Sequence, residues 1–257
     1  MRILLIRHGD PDYVNDTLTE KGRREAALLA KRTVSMNMGE CYKSPLGRAK
    51  DTAAPCLEGT GKTAEILDWL QEFPAQVDLN KNPELEKAYP DVKKEGGYFL
   101  PRIAWDMAPG YWTEHEAYMD KNTWRETEVA KNSDLVEVYD HVIEEFDRFL
   151  AEHGYVREGA HYRVEKESDE TVTFFCHFGI SCVLLSHLWN VSPFVLWHCL
   201  ALAPTSVTEV VTEEREQGTA YFRGLKVGDI SHLYAGGEEP SFAARFCETY
   251  SNKEQRH

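Results

Sequence analysis

A chain of 257 residues, 42% of them apolar, is long enough to bury a full core and fits one large domain, 1–257, carrying an insertion. Its 29 basic residues against 43 acidic ones leave a net charge of -14, which argues against nucleic acid and anionic membrane surfaces as partners. Any phosphate-bearing ligand would have to be drawn in by a local basic cluster.

No apolar run approaches the roughly 18 residues of a membrane span. The first such run, Ile3 to Ile6, stops at Arg7, far short of a signal-peptide core, so a cytoplasmic protein is expected. Cys41, Cys56, Cys176, Cys182, Cys199 and Cys247 show neither a CxxC pair nor regular spacing. They read as reduced thiols, with no disulfide framework and no zinc site.

Along the chain, Arg2 to Ile6 reads as a strand buried on both faces, which puts His8 just past its carboxyl end. Thr19 is placed to cap a helix from about Glu20 to Val34, where Ala26, Leu29, Ala30 and Val34 recur at helical spacing. A short strand follows at Glu40 to Lys43. Ser44 then reads as an N-cap and Pro45 as the first helical position of a helix through Leu57, with Arg48 in its first turn.

Between Asn80 and Ser133 the pattern turns irregular and rich in Pro, Gly, Trp and Tyr (Pro90, Gly96, Gly97, Trp105, Tyr111, Trp112), which predicts a folded insertion or lid rather than a linker. Thr171 to Cys176 is a second β-branched and aromatic strand, and an apolar helix follows over Ile180 to Leu188, with His177 at the junction. Ser206 to Thr212 and Ala220 to Lys226 alternate as two adjacent strands around a turn-rich Glu213 to Gly218. The fold class expected is α/β, a three-layer sandwich with a largely parallel central sheet flanked by helices.

In open α/β sheets ligands bind beyond the carboxyl ends of the strands. His8 and His177 both fall there, with Arg7 at a strand end and Arg48 near a helix N-terminus that favours an anion. Two guanidinium forks and two imidazoles describe a phosphate-sized pocket, and Gly9 would let backbone approach the anion closely. A neutral imidazole is a competent nucleophile, and the arginines would neutralise charge during in-line transfer, so no metal and no cofactor is called for. Glu72, set between apolar neighbours that could keep it protonated, is the candidate general acid, with Glu84 and Glu86 in reserve. Tyr13 and Asn15 are candidates for the pocket border. The aromatics of the insertion, and the lone His187 and His198, read as packing residues.

RHG at Arg7 to Gly9, LTEKG at Leu18 to Gly22, SPLGRAKDTA at Ser44 to Ala53 and CHFG at Cys176 to Gly179 occur in an order and spacing that resembles the histidine phosphatase superfamily, also called phosphoglycerate mutase-like. The resemblance covers Met1 to about Phe73 and Val172 to about Leu233. It implies that His8 is the phosphorylated nucleophile, that Arg7, Arg48 and His177 complete the phosphate pocket, and that Glu72 stands at the usual proton donor of the phosphatase branch. Phe178 departs from the small or acidic residue the family usually carries after its second histidine, so it bears on the substrate side. The run from Asp10 to Asn15 fits the mutase branch poorly.

The function expected is hydrolysis of a small phosphorylated metabolite through phospho-His8. Phosphoglycerate mutase-type transfer and non-catalytic binding of a phospho-ligand are the alternatives. No motif selects a particular substrate or an oligomeric state.

Overall fold

The computed structural model describes residues 1–242 together with 249 and 251. Cys247 lies outside the described residues. The chain divides into two compact units, one formed by 1–72, 151–181 and the residues from 201 on, the other by 73–150 and 182–200.

The first unit is built on an eight-stranded sheet. Its strands are β1 (Arg2–Arg7), β2 (Glu40–Lys43), β3 (Ala64–Ile66), β4 (Tyr155–Glu158), β5 (His161–Val164), β6 (Thr171–Cys176), β7 (Val207–Glu216) and β8 (Thr219–Asp229). The spatial order is β4-β5-β8-β7-β1-β6-β2-β3. Pairing is parallel through β1, β6, β2 and β3, and antiparallel from the other edge of β1 through β7, β8, β5 and β4. The physical reason for the antiparallel half is connection length: β4–β5 and β7–β8 are joined by tight hairpins, whereas parallel neighbours need a long crossover. The β7 and β8 strands run further than the sequence pattern suggests, leaving Gln217 and Gly218 as the turn, with Gly218 at φ 80°.

Helix α1 (Glu20–Thr33) begins where expected: the Thr19 hydroxyl accepts the Gly22 amide at 3.0 Å, and Gly22, Glu25, Ala26, Leu29 and Thr33 form its buried face. Helix α2 (Gly47–Thr60) begins later than Ser44. Its N-cap is Leu46, because the Ser44 hydroxyl is taken up by His177 and by the Leu46 amide. Leu4, Ile6, Leu29, Met38, Ala53, Cys56, Phe175 and Val207 form one buried cluster of sheet and helix residues. Cys41, Cys56 and Cys176 are free and buried, Cys182 is buried, and Cys199 is free and exposed.

The second unit contains α3 (Leu135–Glu152) and α5 (Pro193–Cys199); α4 (Phe178–Trp189) opens within the first unit. The rest is short: ribbons Gln76–Val77 with Arg102–Ile103 and Lys94–Glu95 with Tyr98–Phe99, plus single helical turns. Aromatic rings replace long elements as its core. Trp124 packs against Tyr139 at 5.0 Å, Tyr118 against Phe194 at 4.8 Å, and Trp197 against Phe73, Trp105 and Phe194 at 5.3, 5.6 and 5.2 Å between ring centres. Trp105, Tyr111 and Trp112 are buried as packing residues, while Tyr98 is exposed. Among the described residues no helix is long and apolar enough to cross a membrane.

Candidate active site

Sheet register brings the two histidines together. In the parallel pair β1·β6, Arg7 faces Cys176, so the next residue on each strand emerges at the same level. The His8 amide donates to the Cys176 carbonyl at 3.0 Å, and the His8 and His177 ring centres lie 5.0 Å apart. Strand β2 ends one residue lower, which sets Ser44 beside His177; its hydroxyl lies 2.7 Å from His177 Nε2. The Ser44 hydroxyl also accepts the Leu46 amide at 3.2 Å. His177 Nδ1, on the other side of the ring, is a buried atom with no hydrogen-bond partner among the described residues.

The tautomer of His8 follows from its neighbours. Nδ1 lies 2.7 Å from the Gly9 carbonyl, an acceptor only, so Nδ1 bears the hydrogen and Nε2 keeps its lone pair. Arg48 Nε approaches that Nε2 at 3.4 Å. Arg7, His8 and His177 are buried, and Arg48 is 8% exposed. Burial, then the positive charge of Arg7 and the neighbouring His177, hold His8 well below the usual imidazole range; burial, then Arg48 and Arg7, do the same for His177. Both rings are neutral near pH 7.

Arg48 is aimed by a residue the sequence reading passed over. Asp16, in a left-handed turn at φ 47°, accepts Arg48 Nη1 at 2.7 Å and the Gly47 amide at 2.6 Å, so its carboxylate satisfies the open end of α2. Burial opposes its ionisation, but the Gly47 and Arg48 hydrogen bonds outweigh that and lower its pKa. The contact is tight: a Cβ on Gly47 would sit 2.0 Å from the Asp16 carbonyl oxygen. A signal was available, since Asp is one of the residues that tolerates this backbone conformation and here follows Asn in a polar turn. Asn15 itself is exposed and donates to Asp12 at 2.7 Å, while Arg48 lies 5.4 Å from the centre of the exposed Tyr13 ring.

The histidine phosphatase superfamily (branch 1) model matches residues 3–98. That segment carries His8, Arg48 and Glu72. Over that segment the chain resembles the histidine phosphatase superfamily. A Schizosaccharomyces pombe protein described as "Probable phosphatase" is 24% identical over 247 residues, covering 91% of this chain and 95% of the relative. Among solved structures, "Mycobacterial hydrolase 1" matches with a TM-score of 0.56 at 19% identity, over 89% of this chain and 98% of that one. The native mycobacterial glucosyl-3-phosphoglycerate phosphatase matches with a TM-score of 0.55 at 19% identity, over 87% and 96%. These likenesses show that the chain shares the fold of these structures.

Glu72 is half-buried and its Oε1 accepts the Ile180 amide at 3.3 Å, in the first turn of α4. Glu72 and Tyr13 are the principal groups that counter the lowering of the Arg7 pKa by burial, so both lie within electrostatic reach of Arg7. Glu84 and Glu86 are exposed in the second unit, and Glu86 pairs with Lys94 at 3.1 Å. Phe178, first in α4, is buried. Gly9 has a reason beyond ligand approach: a Cβ there would meet the Gly22 carbonyl oxygen at 2.8 Å, and one on Gly22 would meet the Asp10 carbonyl oxygen at 2.3 Å. At the opposite, amino end of the sheet an open cavity of about 430 Å³ is lined by Asn37, Glu40, Lys62, His153, Asp169 and Glu170, far from these groups in chain and strand direction.

Proposed function

We propose that this chain is a phosphoric monoester hydrolase that works through a phosphohistidine on His8. The observation that carries the reading is the His8 tautomer: Nδ1–H is held by the Gly9 carbonyl and a bare Nε2 sits beside the Arg48 guanidinium. The Nε2 lone pair attacks phosphorus, the ester P–O bond breaks, and the leaving oxygen takes the proton of Glu72. Positive charge developing on the ring is shared with the Gly9 carbonyl. Arg7, Arg48 and His177 meet the phosphoryl oxygens. Water then attacks phosphorus, Glu72 takes its proton, and the N–P bond breaks to release phosphate.

The relatives described as phosphatases favour water over a returning acceptor, so hydrolysis is preferred to mutase-type transfer. The glucosyl-3-phosphoglycerate phosphatase among them supports a small phosphorylated metabolite as substrate. The unpaired thiols fit a cytoplasmic setting.

The test is brief mixing of wild type and His8→Ala with a general phosphomonoester at mildly acidic pH, followed by phosphohistidine detection and phosphate release. Wild type is expected to show an acid-labile adduct and turnover, and His8→Ala neither. Turnover surviving in His8→Ala would overturn the mechanism.

A further inference from the structure

The segment between α5 and β7 lies directly against the backbone that presents His8. The Arg7 amide donates to the Ser206 carbonyl at 3.1 Å, Arg7 Nη1 to the Leu202 carbonyl at 2.6 Å, and the Thr205 amide to the His8 carbonyl at 3.1 Å. Thr205 makes that last contact from φ 60°, a conformation β-branched residues rarely adopt. Something must hold it there.

The hydrogen-bond polarity behind Thr205 is fully determined. Helix α6 (Ser231–Gly236) carries the buried His232, whose Nδ1 lies 3.3 Å from Arg32 Nη1. A guanidinium only donates, so Nδ1 accepts, Nε2 bears the hydrogen, and it donates to Thr205 Oγ1 at 3.0 Å. The Thr205 hydroxyl in turn donates to the Pro204 carbonyl at 2.7 Å. Arg32 is fixed by Asp229 at 2.6 Å, so the chain runs Asp229, Arg32, His232, Thr205 and then the His8 carbonyl.

We infer that His232 is a positioning residue for the His8 nucleophile, acting through Thr205 to hold the main chain of His8 in register with the phosphate pocket. The inference rests on the reading of His8 as nucleophile. Burial, then Arg32, lowers the pKa of His232 to about 4 against the opposing pull of Asp229, so the ring stays neutral and the tether keeps its polarity down to mild acid. Arg32 from α1 and Asp229 from the end of β8 are the charged groups that bear on it. Loss of the tether lets Thr205 relax toward negative φ and withdraws its amide from His8.

The experiment compares wild type, His232→Leu, His232→Gln and Thr205→Val in rapid-quench phosphorylation of His8, with KM measured in parallel. Gln keeps a donor toward Thr205 and an acceptor toward Arg32; Leu and Val remove one partner while filling the space. The expected result is a fall of about tenfold or more in the phosphorylation rate for His232→Leu and Thr205→Val, KM within about twofold, and recovery of most of the rate in His232→Gln. A wild-type rate in either disrupting variant, or His232→Gln as slow as His232→Leu, overturns the inference. If His232→Leu does not fold, Thr205→Val decides alone. If wild type forms no phosphohistidine, the functional reading fails instead; ring 15N shifts of His8 then decide the positioning role, which is overturned if Thr205→Val leaves them unchanged.

Discussion

The two compact units solve the problem of order in different ways. In the first, long strands and two capped helices fix backbone positions, and the candidate catalytic groups follow from sheet register: Arg7 against Cys176 puts His8 beside His177. In the second, elements outside α3, α4 and α5 are only a few residues long, and stacked and edge-on rings of Tyr118, Trp124, Tyr139, Phe194 and Trp197 supply the cohesion. A regular scaffold places chemistry by hydrogen-bond geometry; an irregular one is held by apolar contact and is free to vary its backbone.

Glu72→Gln gives the largest effect expected on the first unit after removal of the nucleophile. Turnover of a substrate with a poor leaving group should fall by about 100-fold to 10,000-fold, with far less loss for an activated aryl phosphate that needs no proton. Equal losses for both substrates would assign Glu72 another role.

Trp124→Ala probes the other side of the comparison. Trp124 is 1% exposed and touches Tyr139, Phe194 and the Arg125 guanidinium, so its truncation should destabilise the protein by about 3–5 kcal/mol in denaturant unfolding. A cost below about 1 kcal/mol would show that rings are not what holds the second unit.

Gly22→Ala returns to the first unit at the scale of one methyl group. Its Cβ would fall 2.3 Å from the Asp10 carbonyl, so the loop after His8 must shift. A destabilisation of about 1–3 kcal/mol, with a drop in His8 phosphorylation, is expected in melting and quench-flow measurements.

Glu25→Gln should give the smallest and most pH-dependent change. Glu25 is buried, accepts the Asp10 and Ser241 amides at 2.8 and 3.1 Å, and has its pKa raised by burial to about 7. Its ordinary value is near 4.5, so the folded state binds the extra proton in that window, and stability owed to this group falls as pH rises from about 4.5 to 7. Melting temperatures of wild type relative to Glu25→Gln should decline over that range and level off above it. A flat difference would show that Glu25 is ionised throughout.

The first unit was largely legible because its signals are local. The β1 and β6 runs are short, apolar and sharply ended; Thr19 caps where its hydroxyl reaches the Gly22 amide; Arg48 falls in a first turn. Partners remote in sequence were not legible. Nothing local says that Asp16 caps α2, that Ser44 leaves its expected capping role for His177, or that Thr205 turns to φ 60° to meet His8. In the second unit, α3 carries a plain helical signal in Leu135, Tyr139, Val142, Phe146 and Phe149, whereas the two-residue strands have too few side chains to show any period.

The close approach of Gly9 and Gly22 bears on how this chain can change over time. The glycines of RHG and LTEKG are two halves of a single contact, each leaving room that the other's neighbouring carbonyl fills. A larger residue at either position forces the loop or the helix to move, so the two positions are expected to drift as a pair, and a search that scores the two signatures as independent counts one constraint twice.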